Sequence, residues 1–192
     1  MIELEYEIIS HRHGKYIIEE EEFKTEYNEI IHAIKSITYD EIKEKHIEKF
    51  YKQKSLSFAI NHLISERLKH KNWLDEAPIF QHSDYLGRKS RYRIDFAKQN
   101  ISLEVAFNND GYTAWNLLKP TLASELNHVK KGIQTKMGVL IMATNNMKKR
   151  GGFDNTICTM ENTEKYLRIM QNQLTVPMVI IGLKAPKNYY IR

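Results

Sequence analysis

Asp95 and Glu104 are the residues in this 192-residue chain whose types and spacing best suit chemistry. The stretch Ile101-Ser102-Leu103-Glu104-Val105-Ala106-Phe107 alternates with the period of a β-strand. Ile101, Leu103, Val105 and Phe107 share one face, and Ser102, Glu104 and Ala106 share the other. A carboxylate in mid-strand is costly unless its face is a cleft or is covered by a cation. Asp95 ends the preceding expected strand, residues 92–96, and Ala97-Lys98-Gln99-Asn100 suits the turn of a hairpin. Such a hairpin brings both carboxylates within reach of one divalent ion. Two hard oxygen ligands favour magnesium over zinc. Acids on adjacent strands also occur in ordinary surface hairpins, so the pair alone leaves both readings open.

The surrounding pattern supplies the elements that must position this pair. A strand is expected over 5–9, followed by a turn at Gly14. Phe23, Tyr27, Ile30, Ile31 and Ile34 give a helical apolar stripe over 20–36. A second helix runs over 55–70, ended by Trp73 and Pro78. After the hairpin, 112–131 reads as a long helix in which Pro120 marks either the true start or a kink. The apolar runs 137–143 and 176–183 read as buried strands, and 162–173 reads as a helix. This order predicts an α/β fold, a central mixed β-sheet flanked by helices in a three-layer sandwich. With no repeat, linker or low-complexity tract, one domain is expected over 1–192: a helical N-terminal part to about residue 54 and a core from about residue 55.

The hairpin text carries a resemblance. Asp95, a short turn and Glu104 with its following residues resemble the core of the PD-(D/E)xK nucleases. The wider run from Arg93 to Phe107 is similar to the catalytic hairpin of the BglII/BstYI-like type II restriction endonucleases. The likeness continues through Tyr112-Thr113-Ala114-Trp115-Asn116-Leu117-Leu118 to Val176-Pro177-Met178-Val179-Ile180-Ile181-Gly182, and upstream to the helix from Ala59 to Trp73. It spans roughly residues 55–186. The resemblance implies a restriction-endonuclease-like fold and a magnesium-dependent, sequence-specific cut of double-stranded DNA at a short palindrome, of the GATC-containing kind, leaving 5′-phosphates. It implies Asp95 and Glu104 as metal ligands with the carbonyl of Val105, and Asn61 as an auxiliary catalytic residue. It also implies a homodimer acting in the cytoplasm. A repair or junction nuclease on the same core and a catalytically weakened DNA-binding protein are the alternatives.

One position departs from the pattern. Two places after the Glu the family carries a residue that positions the attacking water, Gln or Lys, and this chain has Ala106, which has no polar side-chain atom. Asn108, of the same strand parity, and Lys119, on the next helix, are the first candidates to fill the role. Lys98 in the turn is another, and positioning by metal and substrate phosphate alone is the remaining one.

Composition permits a nucleic-acid partner without establishing one: 29 Lys and Arg against 24 Asp and Glu give a net charge of +5. Arg88-Lys89-Ser90-Arg91-Tyr92-Arg93 and Lys148-Lys149-Arg150 are basic clusters, suited either to phosphate contact or to an ordinary solvated surface. The stretch 145–155 reads as a loop rich in amides, cations and glycines. Asn145, Asn146, Lys149, Arg150 and Asn155, with Arg91 and Arg93, are the candidate DNA contacts, since Asn reads adenine and Arg reads guanine. His11-Arg12-His13 reads as a solvated turn and Cys158 as a buried thiol. Nothing points to an organic cofactor. No apolar run is long enough for a membrane span, and the acidic start lacks the features of a signal peptide.

Overall fold

The computed structural model describes residues 3–87, 90–125, 128–151 and 153–185. In chain order the elements are β1 (Tyr6–His11), α1 (Gly14–Ile17), α2 (Glu21–Lys35), α3 (Tyr39–Lys49), α4 (Ser57–Lys69), β2 (Leu74–Pro78), β3 (Arg93–Lys98), β4 (Ile101–Val105), α5 (Thr113–Ser124), β5 (Met137–Ala143), α6 (Asn145–Arg150), α7 (Met160–Ile169) and β6 (Met178–Leu183). The sheet order is β1-β6-β5-β4-β3-β2. β4, β5 and β6 are parallel to one another, while β1, β3 and β2 join antiparallel. This is the mixed sheet with helices on both faces that the element order predicts.

Alternation along the central strands divides the apolar interior in two. Leu103, Val105, Val139, Ile141, Val179 and Ile181 face the N-terminal helices and share a core with Ile30, Ile34, Ile60 and Leu63. Ala106, Leu140, Met142, Met178 and Ile180 face the other way and pack with Leu117 and Leu167 of α5 and α7. Strand β1, within the stretch expected to be mostly helical, pairs with β6, so the N-terminal part contributes an edge of the same sheet. Among the described residues no helix is long and apolar enough to cross a membrane.

Four elements differ from expectation. β2 is a short, one-sided edge strand with three exposed residues at its start, and no alternation announces it. α3, unassigned from the sequence, is capped by Thr38, whose side chain accepts from the amide of Glu41. The expected loop after β5 begins as α6, because Thr144 caps it by accepting from the amide of Met147 and Met147 is buried. α5 ends at Ser124 rather than near 131, where Glu125 turns extended. Pro120 lies inside α5 and so does not mark its start. It packs on Gly138, where an added Cβ would sit 2.6 Å from the proline Cβ. That contact seats α5 directly on β5.

Candidate active site

The β3–β4 hairpin closes through Gln99, which takes a left-handed backbone at φ 48°, and Asn100. Phe96 pairs with Leu103, so one step further Asp95 comes opposite Glu104. In an antiparallel ladder opposed residues share a face, which is how nine residues of sequence separation become a contact. The amide of Asp95 donates to Glu104 Oε1 at 3.2 Å, and the amide of Val105 donates to Asp95 Oδ2 at 2.8 Å. Each carboxylate is thus held by the backbone of the other strand.

The third member comes from α5. Lys119 Nζ donates to Glu104 Oε2 at 2.6 Å, with only 12% of the lysine side chain and 3% of the glutamate side chain exposed. One helical turn before it on the same face, Asn116 exchanges two amide hydrogen bonds with Asn108, at 2.9 and 3.4 Å, just past the end of β4. Trp115 Nε1 donates to the carbonyl of Arg91 at 3.1 Å. α5 is therefore tied on both sides to the segments that flank the hairpin, one before β3 and one after β4.

Of the candidates for the role vacated at Ala106, Lys119 is the one in contact with a carboxylate of the Asp95–Glu104 pair. Asn108 is engaged with Asn116 and stands nearby, lining a cavity of about 200 Å3 with Asp95, Arg91 and Lys119. Lys98 is directed elsewhere: its ammonium binds both oxygens of Glu29 on α2 and the carbonyl of Lys71. Ala106 is fully buried beneath α5, in the cluster with Leu117 and Leu140. The methyl group is packing, and the cation near Glu104 comes from α5 instead.

Burial pushes the Glu104 carboxyl up to about 8, aided by the charge of Asp95 and opposed by Lys119. Burial likewise raises Asp95, opposed by Lys119 and by the Val105 amide. Two carboxyls in one dry pocket resist joint ionisation. Ionising Glu104 is thus harder in the folded, metal-free protein than in the unfolded chain, whose carboxyl ionises near pH 4.5. The stability contributed by this group is complete below about pH 4.5 and is lost as pH rises to about 8. In chelator, melting temperature is expected to fall across that interval, and Glu104→Gln, which cannot ionise, to flatten the fall. Parallel pH curves for parent and variant would contradict the assignment.

The donor set fits a hard divalent cation. Both side chains offer anionic oxygen, and among the described residues no hydrogen bond reaches Asp95 Oδ1. No group of three His, Cys, Asp or Glu residues is close enough to cage a metal among the described residues. A hard cation of the magnesium kind needs only one or two carboxylates, with water and substrate phosphate completing its shell. The Val105 carbonyl accepts from the amide of Phe107 at 3.2 Å, and a carbonyl oxygen carries two lone pairs.

Asp95 also borders a second cavity, of about 350 Å3, lined by Asn61, Ser65 and Phe58 of α4. Asn61 is exposed there, on the approach to the carboxylates. Glu76, missed in the sequence, lines both cavities. It interrupts the β2–β3 ladder with φ 48°, and its carbonyl is taken by Arg93 at 2.6 Å.

The candidate DNA contacts divide by position. Arg91 is exposed at the mouth of the Asp95 cavity, whereas Arg93 is bonded to the carbonyls of Glu76 and Leu86. Asn145 and Asn146 are exposed in the first turn of α6, with the Asn145 amide held by both oxygens of Glu161. Lys149 is exposed, Arg150 is half-buried at the end of α6, and Asn155 is exposed in the segment that follows. Arg88, Lys89, Leu126 and Gly152 lie outside the described residues.

The sequence model of the restriction endonuclease BglII/BglIII family matches residues 6–183 of this chain. The structure is similar to that of restriction endonuclease BglII complexed with a DNA 16-mer, with a TM-score of 0.64 and 20% identity over 96% of this chain and 78% of that one. It is also similar to free BglII, with a TM-score of 0.56 and 21% identity over 96% of this chain and 81% of that one. No curated protein matches.

Proposed function

The chain belongs to the restriction endonuclease BglII/BglIII family, and from that premise we propose that it is a type II endonuclease that hydrolyses double-stranded DNA at a short palindrome, using magnesium held by Asp95, Glu104 and the carbonyl of Val105. The observation that carries this reading is the carboxylate of Glu104 gripped between the Asp95 amide and the Lys119 ammonium at the end of β4.

When bound, the metal supplies Lewis-acid stabilisation of charge on the phosphate and a water acidic enough to attack at neutral pH. The chain's own groups do the rest. Lys119 takes the role that the missing polar side chain at Ala106 leaves unfilled, orients the attacking water with its remaining donors and balances the two carboxylates. The Asn108–Asn116 amide pair fixes the helix that carries Lys119. Asn61, on the far side of Asp95, donates to a phosphate oxygen of the scissile group. Water attacks in line, leaving a 5′-phosphate and a 3′-hydroxyl. Lys119 also argues against the weakened-protein alternative, since Ala106 no longer means an absent third residue.

We further propose a homodimer, one centre for each strand of the palindrome, working in the cytoplasm, with α6 and the segment after it reading base edges. Incubating supercoiled plasmid with the protein and magnesium is expected to give discrete double-strand fragments, whose run-off sequencing reads the site. Cutting only at branched structures would favour a repair nuclease, and retarded but intact DNA a binding protein. Within this reading Arg150→Ala lowers cleavage of the cognate site by roughly 10–100-fold, the loss of about 1–3 kcal/mol of base discrimination. Unchanged cleavage of every sequence would exclude Arg150 from readout.

A further inference from the structure

A cleft of about 770 Å3 lies between the α3–α4 connection and the segment after α6. One wall carries Lys52, Lys54 and Phe58; the other carries Phe153, Asn155 and Thr156. Phe58 is shared with the Asp95 cavity, and Asn155 and Thr156 with a third cavity that contains Asn145 and Lys148. Shared lining residues thus set these openings side by side as a groove, from the catalytic carboxylates past Phe58 to the expected readout residues.

On the N-terminal wall of this groove Phe58 lies against the ring of Phe50, with centroids 6.1 Å apart. Lys52 and Lys54 are exposed, and neither forms a hydrogen bond or ion pair among the described residues. Lys52 lies only against the ring of its neighbour Tyr51, at 5.6 Å. Tyr51 and Phe58 expose 68% and 49% of their surface, large values for aromatic rings. Asp154, the only acid lining the cleft, is satisfied by the amide and hydroxyl of Thr156, and its carboxyl is held below the usual range by those bonds and by the charges of Lys148 and Lys54. What remains is a cationic, ring-lined wall facing the readout segment across a space open at both ends.

We propose that Lys52 and Lys54 form a phosphate clamp that holds the DNA backbone between the cleavage centre and the base-reading segment. Phosphate contacts of this kind set register and affinity without carrying sequence information. The inference rests on the endonuclease reading above and adds to it a DNA-binding role for the N-terminal part of the chain, in which the sequence shows none.

The test is the salt dependence of DNA binding by the full chain in chelator, using a duplex with the cognate site and one without it. A variant carrying both Lys52→Gln and Lys54→Gln is compared with the parent and with Lys24→Gln. The control removes one exposed, ion-paired lysine outside the groove. The clamp predicts that the double variant loses affinity equally for both duplexes. It also predicts a slope of log affinity against log salt that is shallower by about two per protomer, from roughly 0.9 counterions released per neutralised phosphate. A slope equal to that of the parent, or to that of Lys24→Gln, would overturn the clamp. So would a loss confined to the cognate duplex. A parent protein that binds neither duplex at any salt would instead overturn the endonuclease reading on which the clamp depends.

Discussion

Asp95→Asn and Glu104→Gln each lower magnesium-supported cleavage by about 10³-fold or more, because either exchange removes an anionic ligand and several kcal/mol of charge stabilisation in the transition state. Both changes conserve shape. Asparagine retains a side-chain oxygen for the Val105 amide, and glutamine retains one for the amide of Asp95. The expected signature is therefore a catalytic loss without a binding loss: single-turnover cleavage collapses at saturating magnesium, while duplex affinity in chelator stays within a few-fold of the parent. Cleavage within tenfold of the parent by either variant would remove the centre proposed above. A parallel collapse of affinity would instead mean that the exchange had disturbed the hairpin.

Lys119→Met is the second large effect, with an expected loss of about 10²–10³-fold in the single-turnover rate, the range for removing one donor preorganised toward developing charge. Methionine keeps the apolar stem and its packing while deleting the ammonium. Lys119→Arg is not expected to restore activity, because a planar fork cannot replace a point charge whose 2.6 Å contact to Glu104 lies in a nearly closed pocket. A lysine that merely held α5 in place would show a different pattern. Both variants would then melt earlier and cut at the parental rate well below the melting temperature. Measuring rate and melting temperature on the same preparations separates the two roles.

The hairpin was legible because its information is local. Strict alternation in Ile101–Val105 placed Glu104 on a face opposite the core residues Leu103 and Val105, and the short turn placed Asp95 beside it. The continuous apolar runs that became β5 and β6 were legible for a related reason: strands covered on both faces leave no polar positions. Lys119 could be ranked but not chosen, since its approach depends on the phase of α5 and on Pro120 resting against Gly138, a contact between residues 18 positions apart. Asn116 was missed, although its spacing of one turn from Lys119 on a shared helix was available as a signal.

β2 and α3 escaped for the opposite reason. Leu74–Pro78 is an edge strand with one paired neighbour, so its side chains follow no two-residue code. Tyr39–Lys49 buries only Tyr39 and Ile42, too few to draw a helical stripe. The start of the 145–155 stretch looked like a loop because amides and cations dominate it, yet a single threonine cap and one buried methionine suffice for a short helix. The groove shared by Lys54, Phe58 and Asn155 joins segments about a hundred residues apart, and no local pattern encodes such an encounter.

Moving the cation from strand to helix makes positions 106 and 119 mutually dependent. A long polar side chain introduced at Ala106 enters a filled cluster beneath α5, an overpacking that costs about 1–3 kcal/mol. Losing the lysine first leaves Glu104 buried without its countercharge. Neither single exchange is neutral, and the order in which the two occur decides whether the intermediate protein fails in folding or in chemistry. In the proposed arrangement, a change at either of Ala106 and Lys119 is therefore felt at the other.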